Sequence, residues 1–337
     1  MDDRVKNVAV SERPLVSVII PVFNRAAIIA QAIESVLSQT YPRIQLIVVD
    51  DGSTDTTASV LQSFDSQIEW CTQQNAGPGA ARNRGMQMAK GEIIAFQDSD
   101  DAWSPSKIER QVSVLDRVSD SIPCCLCNAT LRMMDGSEVT SFDHAAIHPR
   151  YEEGIWTNAA EVLITRFLLF NQAVAIRSSA LKKIGGFDEE LRYLEDLDLA
   201  LRLSLMGPFA FIRQPLVTYR HGSPGSLAAE ALERKVTLKE YELKVRRRTY
   251  LAVGSGRDQS RLRTLARRSL GKARRGLWLA KIAQGKFPWS RTVSRFLERI
   301  DHTYAGMWQP KMVTEPISRE TTGTNAASPE MHCHGVV

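Results

Sequence analysis

Short, uninterrupted apolar runs recur along the first hundred residues, with stretches of helical period between them. Residues 15–20 (with Ser17 the one polar position), 46–49 and 93–96 are such runs, too short for helices and set off by Gly, Pro, Asn or Asp, and a further short strand is expected near 68–71. Continuous rather than alternating runs mark strands covered on both faces. After the first run, Ile28, Ile29, Ile33, Val36 and Leu37 form one apolar stripe at helical spacing. Tyr41-Pro42 ends it. Ser53 or Thr54 is placed to cap a second helix through about residue 64, with Asp55 in its first turn. A third helix follows the glycine-rich turn at 75–79 and stops by Gly91. The order β-α-β-α-β-α-β predicts an α/β fold with a mostly parallel sheet and right-handed crossovers.

Farther along, residues 171–177 read as another apolar strand, and 181–188 as a short helix with a glycine stop. Leu194, Leu197, Leu201 and Leu205 form a helical stripe that Gly207 closes. A further apolar strand runs into Thr218-Tyr219-Arg220-His221. Residues 228–248 and 260–283 are helical in pattern, the second carrying Leu262, Leu265, Ala266, Leu270 and Leu277 among many arginines. Residues 314–337 are polar, Ser/Thr-rich and without a core pattern, so disorder is expected there. Three adjacent ligand types rarely make a closed metal site, so His332-Cys333-His334 is read as none.

The polar residues at the strand ends carry the chemistry. The stretch GEIIAFQDSDDAW at 91–103 ends an apolar run in Asp98, Asp100 and Asp101. Asn24 and the Asp50/Asp51 pair end two other strands. Burying acids is costly unless something compensates them. Open α/β sheets bind ligands at the carboxyl ends of their strands, and oxygen ligands of this kind suit Mg²⁺ or Mn²⁺. A plainer reading is a polar loop that caps the next helix, with Ser104 as N-cap and Pro105 as first helical residue. Gly77-Pro78-Gly79 resembles a phosphate cradle, yet it is neither a P-loop nor a dinucleotide fingerprint. Arg82, one turn into the next helix, is either an anion contact or a solvated surface arginine. Glu195, Asp196 and Asp198 open the later helix, where the macrodipole favours acids with or without function.

Composition narrows the class. The 337 residues are 43% hydrophobic and 24% charged, ordinary for a globular protein. No apolar run approaches the ~20 residues that cross a bilayer. The N-terminal stretch lacks an apolar signal region, so a cytoplasmic location is expected, with peripheral contact at the inner membrane face as an option. Of five cysteines, Cys124, Cys125 and Cys127 share one apolar stretch and match no zinc spacing; buried reduced thiols are expected. The net charge is +5, but residues 234–275 carry 15 Lys/Arg against 3 Asp/Glu, a local +12. Trp278, Phe287, Trp289 and Phe296 lie in or beyond this segment. Basic amphipathic helices with aromatics can lie on an anionic membrane, and a helical cap over the cleft is equally open. Nucleic-acid binding ranks third and is not expected.

VSVIIPVFNR, IVVDDGSTD, NAGPGAARNRG and IIAFQDSDDAW, in this order and spacing, resemble the donor half of family-2 glycosyltransferases of the GT-A fold. The segment GGFDE…LEDLDLALR resembles the acceptor half. The likeness runs over about residues 14–221. It implies a nucleotide-diphospho-sugar donor lying across Pro21, Val22, Phe23, Asn24, Asp51, Asn75, Gly79, Arg82, Asp98 and Ser99, with the base near Pro21 and Asp51. Asp98-Ser99-Asp100 matches the D-x-D motif. It implies a Mn²⁺ or Mg²⁺ ion on Asp100, with Asp98 nearby, Asp101 as rival ligand and His221 as a further candidate. The E-D pair implies a catalytic base, assigned to Asp196, with Glu195 second and Asp198 third. The resemblance thus implies an inverting transferase acting on a glycan, polysaccharide or lipid-linked acceptor. It divides the chain into an extension at 1–14, a GT-A domain at 15–225 (donor half 15–103, acceptor half 104–225), a basic helical extension at 226–313 and a tail. Rivals are a non-catalytic nucleotide-sugar-binding relative and a nucleotidyltransferase. The second would place a Gly/Lys-rich loop after the first strand, where PVFNRAAII stands instead.

Overall fold

The computed structural model describes residues 13–133, 135–220, 230, 234–254, 256, 259–283 and 310–317. Its first part is β1 (Val16–Val22), α1 (Ile29–Leu37), β2 (Ile44–Asp50), α2 (Thr57–Gln62), β3 (Glu69–Thr72), α3 (Pro78–Met88), β4 (Ile93–Phe96) and β5 (Ala102–Trp103). Next come α4 (Lys107–Leu115), β6 (Cys124–Arg132), β7 (Glu138–Thr140), α5 (Ser141–His144), β8 (Glu153–Trp156) and α6 (Ala159–Thr165). A 3-10 turn at Asn171–Ala173 leads to β9 (Val174–Arg177), α7 (Ser178–Ile184), α8 (Glu195–Ser204) and β10 (Phe209–Arg220). The C-terminal part adds α9 (Lys235–Ala252), α10 (Ser260–Ala283) and β11 (Thr314–Glu315).

The strands join one sheet in the order β11-β8-β10-β6-β9-β4-β1-β2-β3, with β5 on β10 and β7 on β6. β3, β2, β1 and β4 run parallel, and the strand order reverses between β1 and β4. A crevice is expected at such a switch point. Beyond β4 the sheet is mixed: β9 is antiparallel to both β4 and β6, while β10 is parallel to β6. The α/β class stands, and the all-parallel character is confined to the first four strands of the chain.

The apolar runs form the core. Val16, Val18, Ile19 and Ile20 of β1 and Ile47, Val48 and Val49 of β2 are fully buried. On α1, Ile29, Ala32, Ile33 and Val36 face inward, while Leu37 from the expected stripe is 40% exposed. α3 lies close on β1. A Cβ at Gly85 would stand 2.4 Å from Ile19 Cγ2, so only glycine fits there. Cys124, Cys125 and Cys127 are buried free thiols.

Two expected caps are displaced. α2 starts at Thr57 rather than after Ser53 or Thr54, because the Ser53 hydroxyl accepts from the Asn24 amide at 2.8 Å. Asp55 precedes the helix and accepts from the Thr57 amide at 2.9 Å. α4 begins at Lys107, not at Pro105; the Ser104 amide donates to the Leu216 carbonyl at 2.9 Å, which keeps it at the β5–β10 junction.

The C-terminal elements pack on the sheet domain. Val245 of α9 and Leu265 and Ala266 of α10 belong to the same buried core as β1. Arg246 is buried and donates to the Ile164 carbonyl at 2.8 Å, satisfying the carboxyl end of α6. Expected disorder from 314 onward is corrected in part. Thr314 and Glu315 pair antiparallel with Trp156 and Ile155 of β8. Asn158 secures the approach, its side chain bonding the Lys311 carbonyl and the Val313 amide, both at 2.8 Å. Backbone pairing to an open edge needs no apolar pattern, so the composition did not signal it. Phe287, Trp289, Phe296 and His332-Cys333-His334 lie outside the described residues.

Candidate functional site

A cavity of about 650 Å³ opens at the carboxyl ends of β1 and β4, within the ~300–1,000 Å³ range of ligand pockets. Pro21, Val22, Phe23, Asn24, Asp51, Asn75, Arg82, Asp98, Ser99 and Asp100 line it, together with Glu195 and Asp196 from α8. The expected donor residues and the E-D pair, about a hundred positions apart in sequence, therefore share one cleft. His221 lies outside the described residues.

The strand-end loops are held by their own polar groups. Asn24, in the left-handed region at φ 53°, accepts from the Thr54 amide at 2.8 Å, joining the ends of β1 and β2. Asp51 accepts from Gln73 Nε2 at 2.8 Å, the Ala76 amide at 2.9 Å and the Gly77 amide at 2.8 Å. A carboxylate has about four lone-pair sites, so one acceptor direction stays open toward a ligand N–H. Phe23 is 43% exposed beside it, an apolar face at the same rim.

Three expectations change on contact with the geometry. Arg82 is neither a solvated arginine nor an unengaged anion contact. It is 4% exposed and bridges Asp98 at 2.7 Å and Glu195 at 2.8 Å. Burial works against its charge, and the two carboxylates outweigh burial and raise its pKa. Gly79 does not line the cavity; it packs on the 187–189 segment, where a Cβ would lie 3.5 Å from the Asp188 carbonyl oxygen. Asp198 turns into the domain, taking Arg202 Nε at 2.7 Å and Arg248 Nη1 at 2.9 Å. It supports α8 rather than facing the cleft.

The remaining acids are perturbed by burial and by one another. Burial and the Asp98 charge push the Asp100 carboxyl up, with Arg25 and Arg220 pulling the other way. Asp101 is driven well above the usual range by burial, Asp98 and Asp100; one of its oxygens is buried without a hydrogen-bond partner. Burial also raises Glu195 despite Arg82. Asp196 is half-buried in the cleft and is pushed up to about 7 by burial and the Glu195 charge. Its backbone entry is strained, since Leu194 sits at φ 63° with no glycine to ease it.

The donor set suits a divalent cation. Buried carboxylates in excess, one with an orphaned oxygen, are what a cation neutralises. Among the described residues no three His, Cys, Asp or Glu side chains form a closed cage. Mg²⁺ takes one or two carboxylates plus substrate phosphates, so Asp100 with Asp98 or Asp101 is sufficient.

Sequence reasoning missed several lining groups. Gln172, from the 3-10 turn, bonds the second oxygen of Asp98. Tyr219 and Arg220 enter from the end of β10, His144 from α5, and Phe167 and Leu168 from the segment after α6. Only the sheet brings these together; no local spacing announces them.

Comparisons with known proteins agree with the fold. The glycosyl transferase family 2 profile matches residues 17–167. An uncharacterised glycosyltransferase of Rickettsia typhi is 31% identical over 210 residues, covering 61% of this chain and 64% of that protein. One from Nostoc is 30% identical over 220 residues, covering 64% of this chain and 67% of the relative. The chain thus spans just under two thirds of the length of the Rickettsia relative. S. aureus TarS 1–349, solved with UDP-GlcNAc, superposes with a TM-score of 0.60 at 19% identity, covering 78% of this chain and 72% of that one. The mannosyltransferase PcManGT from Pyrobaculum calidifontis, solved with GDP-Man and Mn²⁺, gives a TM-score of 0.54 at 20% identity, covering 88% and 83%. By this match and these relatives, the chain belongs to glycosyltransferase family 2.

Proposed function

We propose that this protein transfers a sugar, with inversion, from a nucleotide-diphospho-sugar to a hydroxyl of a glycan, polysaccharide or lipid-linked acceptor. One observation carries the reading: Asp98 and Glu195, from the two halves of the cleft, are held by the same guanidinium. The nucleotide is assigned to the rim formed by Pro21, Phe23, Asn24, Asp51 and Asn75, within residues 15–103. The acceptor is assigned to the side lined by Phe167, Leu168 and His144, within residues 104–225, with residues 226–313 as an extension.

Asp196 is the base. Its carboxylate takes the proton of the acceptor hydroxyl while that oxygen bonds to the anomeric carbon. The bond from that carbon to the diphosphate oxygen breaks, and the nucleoside diphosphate leaves with the electron pair. Attack opposite the leaving group inverts the anomeric centre. A carboxyl pushed up to about 7 by burial and the Glu195 charge suits a base working at neutral pH. Arg82 fixes Glu195 beside it and fixes Asp98 on the donor side. A Mn²⁺ or Mg²⁺ ion on Asp100, with Asp98 or Asp101 beside it, would neutralise the charge that develops on the leaving diphosphate.

Incubation with a panel of nucleotide sugars, reading released nucleoside diphosphate with and without oligosaccharide or lipid-linked acceptors, tests the reading. Acceptor-stimulated release from at least one donor is expected. No binding or turnover of any nucleotide sugar would overturn it.

A further inference from the structure

α10 presents two faces of opposite character. Leu265, Ala266, Leu270 and Ala273 are buried, and the helix packs against α9 and α6. On the other side, Arg267, Arg268, Lys272, Arg274 and Arg275 are exposed, with Trp278 39% exposed among them. From Ser260 to Ala283 the helix has eight Lys/Arg and no Asp or Glu.

Ordinary solvated helix faces mix signs, because like charges three or four apart repel. Here the helix contains no acid to offset exposed Arg267, Lys272 and Arg274. Such a face is stabilised by an extended anionic surface. Its inner face is already used by the fold, so α10 is not a cap over the cleft. That role falls to α9, whose Leu238 lines the cavity.

We propose that the outer face of α10 docks the protein flat on an anionic lipid bilayer. The face is basic and carries an indole, which suits headgroups with an acyl boundary beneath them. Among the described residues no helix is long and apolar enough to cross a membrane, so the attachment is peripheral. α9 contacts α10 and also lends Leu238 to the cavity lining. The inference goes beyond glycosyl transfer and is read without any activity.

The test is sedimentation of the full chain with vesicles of zwitterionic lipid, with and without an anionic phospholipid, over a range of salt. Binding should require the anionic lipid and fall as salt rises. The triple variant R267Q/K272Q/R274Q alters exposed side chains only. It should lower partitioning on the order of a hundredfold, three basic residues each contributing near the surface. Equal binding to uncharged vesicles, or unchanged partitioning of the triple variant, would overturn the proposal. Single-stranded RNA that displaces the protein from anionic vesicles at equal phosphate concentration would also overturn it, in favour of a nucleic-acid surface.

Discussion

Arg248 on α9 donates to Asp198 on α8 at 2.9 Å, and its other nitrogen reaches Asp188 at 2.6 Å. The C-terminal helix therefore holds the helix that carries Glu195 and Asp196. Asp198 is nearly fully buried and keeps only Arg202 if Arg248 is removed. Arg248→Ala should cost about 1–3 kcal/mol, the range for a lost charge-assisted bond. The partial exposure of Arg248 argues for the lower end. Thermal unfolding should fall by several degrees, and Arg248→Lys should recover part of it. An unchanged melting temperature in Arg248→Ala would show that α9 does not brace α8.

Much of this was readable from the chain alone. Continuous apolar runs marked β1, β2 and β4 in their correct places, because burial on both faces leaves little room for polar residues, while β3 is part-exposed and carries Glu69. Asp51, Asp98 and Asp100 stood out because acids at successive strand ends have no packing reason to be there, whereas Asp196, at a helix start, was singled out by the family resemblance. What could not be read was long-range. Arg82 read as an anion contact or a surface arginine and not as a bridge, since nothing local shows that Glu195, 113 positions away, will meet it. Arg246 and Arg248 read only as part of a basic helical segment, yet one caps α6 and the other clamps α8. β11 had no pattern at all, because an edge pairing is made by backbone.

Arg82 is the residue whose loss should matter to both halves of the cleft. Arg82→Ala leaves Asp98 and the buried Glu195 without their shared cation. Removing one partner of a buried pair costs about 3–5 kcal/mol, so marginal folding is expected. Arg82→Lys is the informative variant. It keeps the charge but lacks the fork that spans two carboxylates. It should fold, and turnover should drop at least about tenfold, the worth of one charge-assisted bond. Wild-type turnover in Arg82→Lys would show that the bridge is dispensable.

Lys107 offers a test of the core. Its ammonium is fully buried, donates to Gln111 at 2.8 Å and lies 3.8 Å from the Trp103 ring centre. Burial lowers its pKa to about 8 from 10.5. Between these values the unfolded chain binds the extra proton, so this group's contribution to stability grows as pH rises from about 8 to 10.5. The buried Cys125 and Cys127 are pushed up and act in the opposite direction above pH 9. In Lys107→Met the rising contribution disappears, leaving only the decline from the thiols. Denaturant titrations at pH 8 and 10 should show a steeper loss in the variant than in the wild type. Identical pH dependence would mean that Lys107 is not held in this environment.

The cation should be separable from the nucleotide. Asp100→Asn removes the carboxylate best placed to hold a metal without disturbing the loops tied by Asp51 and Asn24. Mn²⁺-dependent tightening of nucleoside-diphosphate binding should vanish in this variant, while the metal-free affinity stays near that of the wild type. Calorimetry with and without Mn²⁺ reads both. Full activity of the wild type in excess chelator would remove the metal from the proposal altogether.

Asp196 makes the sharpest demand, because its role predicts both a pH profile and a division of labour. A base must be ionised. Its carboxyl is pushed up to about 7 by burial and by Glu195. Turnover should therefore be full above pH 8 and fall about tenfold per unit below pH 6, with an acid limb near 7. Loss of a general base costs roughly 10²–10⁴ in rate. Asp196→Asn should lose sugar transfer on that scale while keeping donor affinity within a few-fold, since the proposed base acts on the acceptor hydroxyl and not on the nucleotide. Asp198→Asn should instead lower stability without moving the acid limb, because its partners are Arg202 and Arg248. The product anomer gives an independent reading. One base and no covalent sugar intermediate require inversion. Retention of the donor's anomer, or near-normal turnover of Asp196→Asn, would leave the E-D pair as no more than a charged helix start.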